Sequence, residues 1–162
     1  QKLSADANSS ETTYTAGLLH DIGILVLAAT CPEQLEAAIE KSHREQIPLY
    51  DAEVSVMQTT HSEVGAYLLQ LWGLPKLMSH VALDHHAPKE TGDSDIHVAV
   101  HVANILSLEE ASTLGSDNAW DQHSGLDRAY LDRIGANSKL ESWRKLAHAE
   151  VAAVVGLANR ED

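Results

Sequence analysis

Apolar residues recur three and four positions apart along most of the chain, and the residues filling those positions are chiefly Ala and Leu. A sheet protein would need period-two runs of Val, Ile, Thr and aromatics, so the pattern predicts an all-α chain. The first helix is expected over Thr13–Ala29, after a frayed segment 1–12, with Leu18, Leu19, Ile22, Leu25 and Val26 on its buried side. Thr30-Cys-Pro-Glu33 reads as a restart, with Thr30 as cap, Pro32 in the first turn and Glu33 reaching back. That second helix runs to about Arg44, where Ile47-Pro48 ends it, and a short helix carrying Ala52, Val54 and Met57 follows. Thr60-His-Ser-Glu63 is a second capping box and places His61 in the first turn of a helix through Val64, Leu68, Leu69 and Leu71. Gly65 inside it costs up to ~1 kcal/mol relative to Ala, which close helix packing beside His61 would offset. Gly73, before Leu-Pro, reads as a left-handed helix stop.

A helix from Pro75 to His86 comes next, then a loop over Ala87–Ser94, then a helix over Asp95–Glu110 with Val98, Val102, Ile105 and Leu106 inward. Ala111–Gly125 is weakly periodic. Ser138-Lys-Leu-Glu141 is a third capping box and opens a last helix through Trp143, Leu146, Val151, Val154, Val155 and Leu157. The expected organisation is a helical core over 13–110 with a C-terminal helical extension of the same domain over 111–162.

Length and charge narrow the classes. The chain has 162 residues, enough for one domain. Its 11 Lys and Arg stand against 24 Asp and Glu, a formal charge of -13 that repels phosphate backbones and anionic lipid. Nucleic acid and membrane are therefore not expected partners. No stretch is read as approaching the ~18 apolar residues of a bilayer span, and the polar opening QKLSADANSSETT has no apolar signal-peptide region. The single Cys31, at a helix start, is read as structural. The expected compartment is cytoplasmic. Trp72, Trp120 and Trp143 are too far apart for a base-stacking platform and are read as packing anchors.

Histidine is the unusual entry in the composition, with 10 in the chain. His20-Asp21 falls in the first helix, His61 at a helix start and His85-His86 at a helix end. Imidazole nitrogen and carboxylate oxygen suit first-row divalent ions, and helices of a bundle can project them into one interior pocket. His43, His80, His97, His101, His123 and His148 fall outside this pattern.

The segments GLLHDIG (Gly17–Gly23) and HSEVGAYLLQLWGLP (His61–Pro75), the His85-His86 pair and HVANIL (His101–Leu106) resemble, in order and spacing, the HDOD domain. That family is a regulatory branch of the HD phosphohydrolase superfamily, related to the HD-GYP cyclic-dinucleotide phosphodiesterases. The resemblance covers Tyr14–Leu108. It implies an HD-domain-like helical bundle used in bacterial signal transduction, often joined to receiver or diguanylate-cyclase modules. His20 and Asp21 match the superfamily's metal-binding pair, and His61, His85 and His86 match further metal ligands of the HD-GYP branch. Asp21 is the candidate catalytic residue.

The departures from the pattern are specific. Asn104 stands where catalytic members carry an Asp, Ile24 where HD-GYP enzymes have a Lys after HDIG, and the GYP signature is absent. The resemblance also implies further helices upstream of Gln1, or supplied by another segment, because the superfamily's first histidine lies ahead of the HD pair. Two readings follow. The first is a non-enzymatic output domain that works through contact with a protein partner or an attached sensor or receiver module, its metal site eroded to a hydrogen-bonded polar cluster. The second is a metal-dependent phosphohydrolase or phosphodiesterase acting on a nucleotide or cyclic dinucleotide. The implied cofactor is a divalent transition metal such as iron or manganese in the second reading, and the first reading also accommodates none.

Overall fold

The computed structural model describes residues 2–88, 95–113, 125–126 and 128–158. Among these the regular elements are all helices: α1 Lys2–Leu19, α2 Ile22–Thr30, α3 Pro32–Glu45, α4 Leu49–Met57, α5 His61–Leu71, α6 Lys76–Asp84, α7 Asp95–Thr113, α8 Arg128–Arg133, a 3-10 turn Asn137–Lys139 and α9 Leu140–Ala158. The all-α expectation therefore holds. Most of the loop expected at 87–94 and of the weakly periodic 111–125 lies outside the described residues, as does Trp120.

Helix α1 begins at Lys2, eleven residues ahead of the expected start at Thr13. It does not run on to Ala29 but breaks at His20–Asp21, and α2 starts afresh at Ile22. The break shifts the helical phase and changes what is buried. Ala16, Gly23 and Leu27 face inward, whereas Leu18 and Leu25, expected inside, are 68% and 66% exposed. Ser10–Thr30, 21 residues long, also contains an 18-residue stretch of mean hydropathy 1.3, so by length and composition it could cross a membrane, contrary to the expectation that no stretch does. His20 and Asp21 interrupt it near its midpoint.

The caps correct two further expectations and bear out a third. Thr30 closes α2, its hydroxyl donating to the Val26 carbonyl, and Cys31 takes the N-cap position of α3 without a side-chain cap bond. Ser138 lies in the 3-10 turn instead of capping α9. Thr60 does form a full capping box: its oxygen accepts from the Glu63 N–H, and the Glu63 carboxylate accepts from the Thr60 N–H.

Three apolar clusters hold the bundle. Ala16, Ala66, Leu69, Met78, Val81, Ala82, Ile96 and Val100 join α1, α5, α6 and α7. Ala38, Leu49 and Ala52, with Ile24 against them, join α2, α3 and α4. Val102, Leu106, Tyr130, Leu131, Ala136 and Leu140 tie α7 to α8 and α9, with Trp143 packed on their edge. Trp72, expected as a packing anchor, is instead 58% exposed, at the end of α5 just before Gly73 at φ 73°.

Helices α2 and α5 cross at Gly23 and Gly65. A Cβ on Gly23 would lie 1.9 Å from the His61 carbonyl oxygen and 2.7 Å from the Gly65 nitrogen, and one on Gly65 would lie 3.1 Å from the Gly23 nitrogen. The two backbones touch without an intervening side chain. That contact compensates the helical cost of Gly65, and it brings the start of α5 against the start of α2, two residues from Asp21.

Candidate metal centre

Each member of the cluster owes its place to a helix end. Asp21 is the N-cap residue of α2, and His20 lies at the break just before it. His61 is the first residue of α5, set by the Thr60 cap, and His85 and His86 follow the last turn of α6. Close crossing of α2 with α5, and packing of α5 on α6, bring these ends together.

Ligand atoms of Asp21, His61, His85 and His86 all lie within 4.8 Å of one another, a group able to hold a metal ion. The Asp21 Oδ1 is 3.3 Å from His85 Nε2 and 3.6 Å from His61 Nε2, and His61 Nε2 is 2.8 Å from His86 Nε2. His20 stands at the edge of the group, its Nε2 3.1 Å from Asp21 Oδ2 and its ring 4.8 Å from that of His85. The five residues predicted as metal ligands are therefore all brought together, four in the compact set and His20 beside it.

The ring orientations follow from what holds each Nδ1. In His20 it donates to the Gly17 carbonyl at 2.6 Å, and in His85 to the Ala82 carbonyl at 2.8 Å. Both rings thereby keep their proton on Nδ1 and turn the Nε2 lone pair toward Asp21. The buried atoms His20 Nε2, Asp21 Oδ1 and His85 Nε2 make no well-formed hydrogen bond among the described residues, although they face one another. Buried polar atoms are nearly always satisfied, so converging lone pairs of this kind fit a cation. The donor set, three imidazoles and one carboxylate, suits a first-row divalent ion.

The electrostatics agree. Burial opposes ionisation of Asp21, but His20 and His85 outweigh it and hold the carboxyl well below the usual carboxylate range. Burial, helped by neighbouring His85 and His61, pushes His86 down to about 2. Burial also lowers His85, despite Asp21. For His20 burial is outweighed by hydrogen bonding and attraction to Asp21, and its pKa rises. At neutral pH the site thus offers a carboxylate at Asp21 and neutral imidazoles at His85 and His86, the forms that bind metal.

The sequence missed three neighbours. Glu53, fully buried in α4, accepts from the His61 backbone N–H at 2.9 Å and from its Nδ1 at 2.8 and 2.9 Å. Tyr50 lays its ring 4.8 Å from that of His86. His101, taken for a residue outside the site, is buried in α7 and donates from Nδ1 to the His85 carbonyl at 2.7 Å, fixing the helix end that carries two candidate ligands. A carboxylate eight residues before His61 was the available signal for Glu53. Asn104, on α7, is among the groups that raise the His20 pKa. Ile24 packs into the α2–α3–α4 cluster.

A family model described as HDOD domain matches residues 2–88, more than half of the chain and all of this centre. The chain belongs to the HDOD family. The HDOD match starts earlier than the expected Tyr14 and stops before the HVANIL segment. The chain is also 31% identical over 93 residues to an uncharacterized protein of Treponema pallidum (strain Nichols), covering 55% of this chain but 18% of that protein. It therefore spans less than a fifth of that relative's length. No solved structure matches. Membership makes this HDOD chain an HD-related output domain of the kind used in signalling, and its His/Asp cluster one that could bind metal.

Proposed function

We propose that the chain is a cytoplasmic regulatory output domain of bacterial signal transduction that acts by contact with a protein partner or an attached sensor or receiver module. Its HD-type site is reduced. The observation that carries this reading is the ligand chemistry: Asp21 is the only carboxylate in the compact set, and a neutral side chain, Asn104, stands where catalytic relatives are expected to carry a second acid. Two-ion hydrolysis at ~3.5–4 Å metal spacing needs more anionic charge than one carboxylate supplies. The position expected to neutralise phosphate is Ile24, which is occupied in the apolar core.

Asp21, His61, His85 and His86 would hold a single divalent ion such as iron or manganese, with His20 beside it. Such an ion supplies Lewis acidity when bound. The chain's own residues orient their Nε2 atoms, keep His85 and His86 neutral and supply the single negative charge.

A second reading, a metal-dependent phosphohydrolase acting on a nucleotide or cyclic dinucleotide, is favoured by the unsatisfied buried atoms converging on Asp21. Elemental analysis together with hydrolysis assays separates the two. The expected result is metal uptake abolished in Asp21→Ala, and no turnover of cyclic dinucleotides or nucleotides with added Mn²⁺. Manganese-dependent turnover lost in Asp21→Ala would overturn the regulatory reading.

A further inference from the structure

We propose that Glu53 is the positioning residue that makes His61 a metal ligand, an inference that rests on the metal-site reading above. Glu53 lies on α4, outside every segment on which the site was predicted, and is 0% exposed. A buried carboxylate is costly unless its oxygens are satisfied. Here one of them takes the first backbone N–H of α5, a donor that has no partner within its own helix, and both lie within 2.9 Å of His61 Nδ1.

The consequence for His61 is chemical. A carboxylate oxygen that accepts the His61 backbone N–H accepts from the ring as well, so the hydrogen between them sits on Nδ1. Nε2 alone is left to face Asp21 and His86. Main-chain carbonyls impose the same tautomer on His20 and His85, but a carboxylate also makes the opposite nitrogen a stronger donor to a cation. Its second grip, on the backbone N–H, fixes the position of the ring's own main chain. Glu53 thus sets tautomer, basicity and location of one ligand without reaching the ion.

In Glu53→Gln the amide oxygen can keep the backbone N–H and its place 2.8 Å from Nδ1, while the amide NH2 is set against the same Nδ1 where Oε1 stood. The charge is lost and the hold on the Nδ1–H tautomer is weakened. Long-range proton–nitrogen spectra of the metal-free protein are expected to show His61 protonated on Nδ1 in the wild type and shifted toward Nε2–H in the variant. Titration calorimetry with Co²⁺ is expected to show affinity reduced about 10–100-fold in Glu53→Gln. The exposed Glu36→Gln, with the same loss of charge, is expected to bind as the wild type does. An Nε2–H tautomer in the wild type, or unchanged cobalt affinity in Glu53→Gln, overturns the proposal. Failure of the wild type to bind cobalt overturns the metal reading and the proposal with it. The two failures are distinguishable, because the tautomer is read with no metal present and from the wild type alone.

Discussion

His86 lies with Nε2 2.8 Å from His61 and its ring 4.8 Å from Tyr50, in a setting that refuses a proton down to about pH 2. His85 is lowered by the same burial. In the unfolded chain both take up protons near an ordinary histidine pKa of about 6.5. A group whose folded pKa is depressed in this way loses stability as pH falls below the unfolded value, since only the unfolded state binds the proton. His20, whose folded pKa is raised, contributes stability that is complete below about pH 6.5 and fades above it, so it does not offset the loss in acid. Urea unfolding of the metal-free protein is therefore expected to show stability dropping between about pH 6.5 and 4.5, at about 1.4 kcal/mol per pH unit for His86 and in the same direction for His85. A flat profile there would contradict the neutral state assigned to both rings. At Asp21 the prediction is direct: Asp21→Asn keeps the shape but removes the one anionic ligand, and dialysis against Mn²⁺ is expected to show binding weakened by more than 10-fold. The five candidate positions that the fold brings together were legible because each sits in a local motif. Glu53 and His101 were not, since each acts across helices and nothing near either residue in sequence marks its partner.

At the scale of elements, two glycines of one segment make opposite predictions. Gly17→Ala places its methyl in open space on α1, so it is expected to be neutral or stabilising by up to about 1 kcal/mol, the helix-propensity gain. Gly23→Ala drives a methyl to 1.9 Å from the His61 carbonyl, a backbone atom that cannot rotate away. We expect it to cost about 3 kcal/mol or more and to weaken metal binding in whatever protein still folds, as read by denaturant unfolding and Co²⁺ titration. Thr60→Ala removes the capping bond at the helix start that bears His61 and is expected to cost about 1 kcal/mol. The Thr60 box was readable because cap chemistry is local. Thr30 and Ser138 carry the same signature and cap nothing, because a hydroxyl competes equally well for a carbonyl one turn back or for a place in a 3-10 turn. The break at His20–Asp21 was hidden by an apolar periodicity that continues through it, and the misplacement of Leu18 and Leu25 followed from that one missed interruption.

For the whole molecule, charge is the dominant fact. A chain at -13 carries self-repulsion that screening relieves. Thermal unfolding is expected to shift upward as NaCl rises from a few millimolar to about 0.15 M, and a bound divalent cation to raise it further in a concentration-dependent way. A midpoint insensitive to both would count against the electrostatic account. The bundle's all-α class followed from the apolar spacing and the residue types that fill it, whereas which helices face one another did not. The hydrophobic period fixes an inward face for each helix but says nothing of its neighbour.

The contact of Gly23 with Gly65 also bears on how this sequence can vary. Where helices meet through side chains, a lost methyl in one can be matched by a gained methyl in the other, and the spacing drifts while the fold persists. At this crossing there is nothing to trade. The distance between the starts of α2 and α5, and with it the reach from Asp21 to His61, is set by main chain against main chain. Extensive substitution elsewhere in the bundle is therefore expected to leave that distance standing, while the smallest addition at Gly23 alters it at once. A library of variants selected only for folding is expected to retain glycine at 23 as firmly as one selected for metal binding.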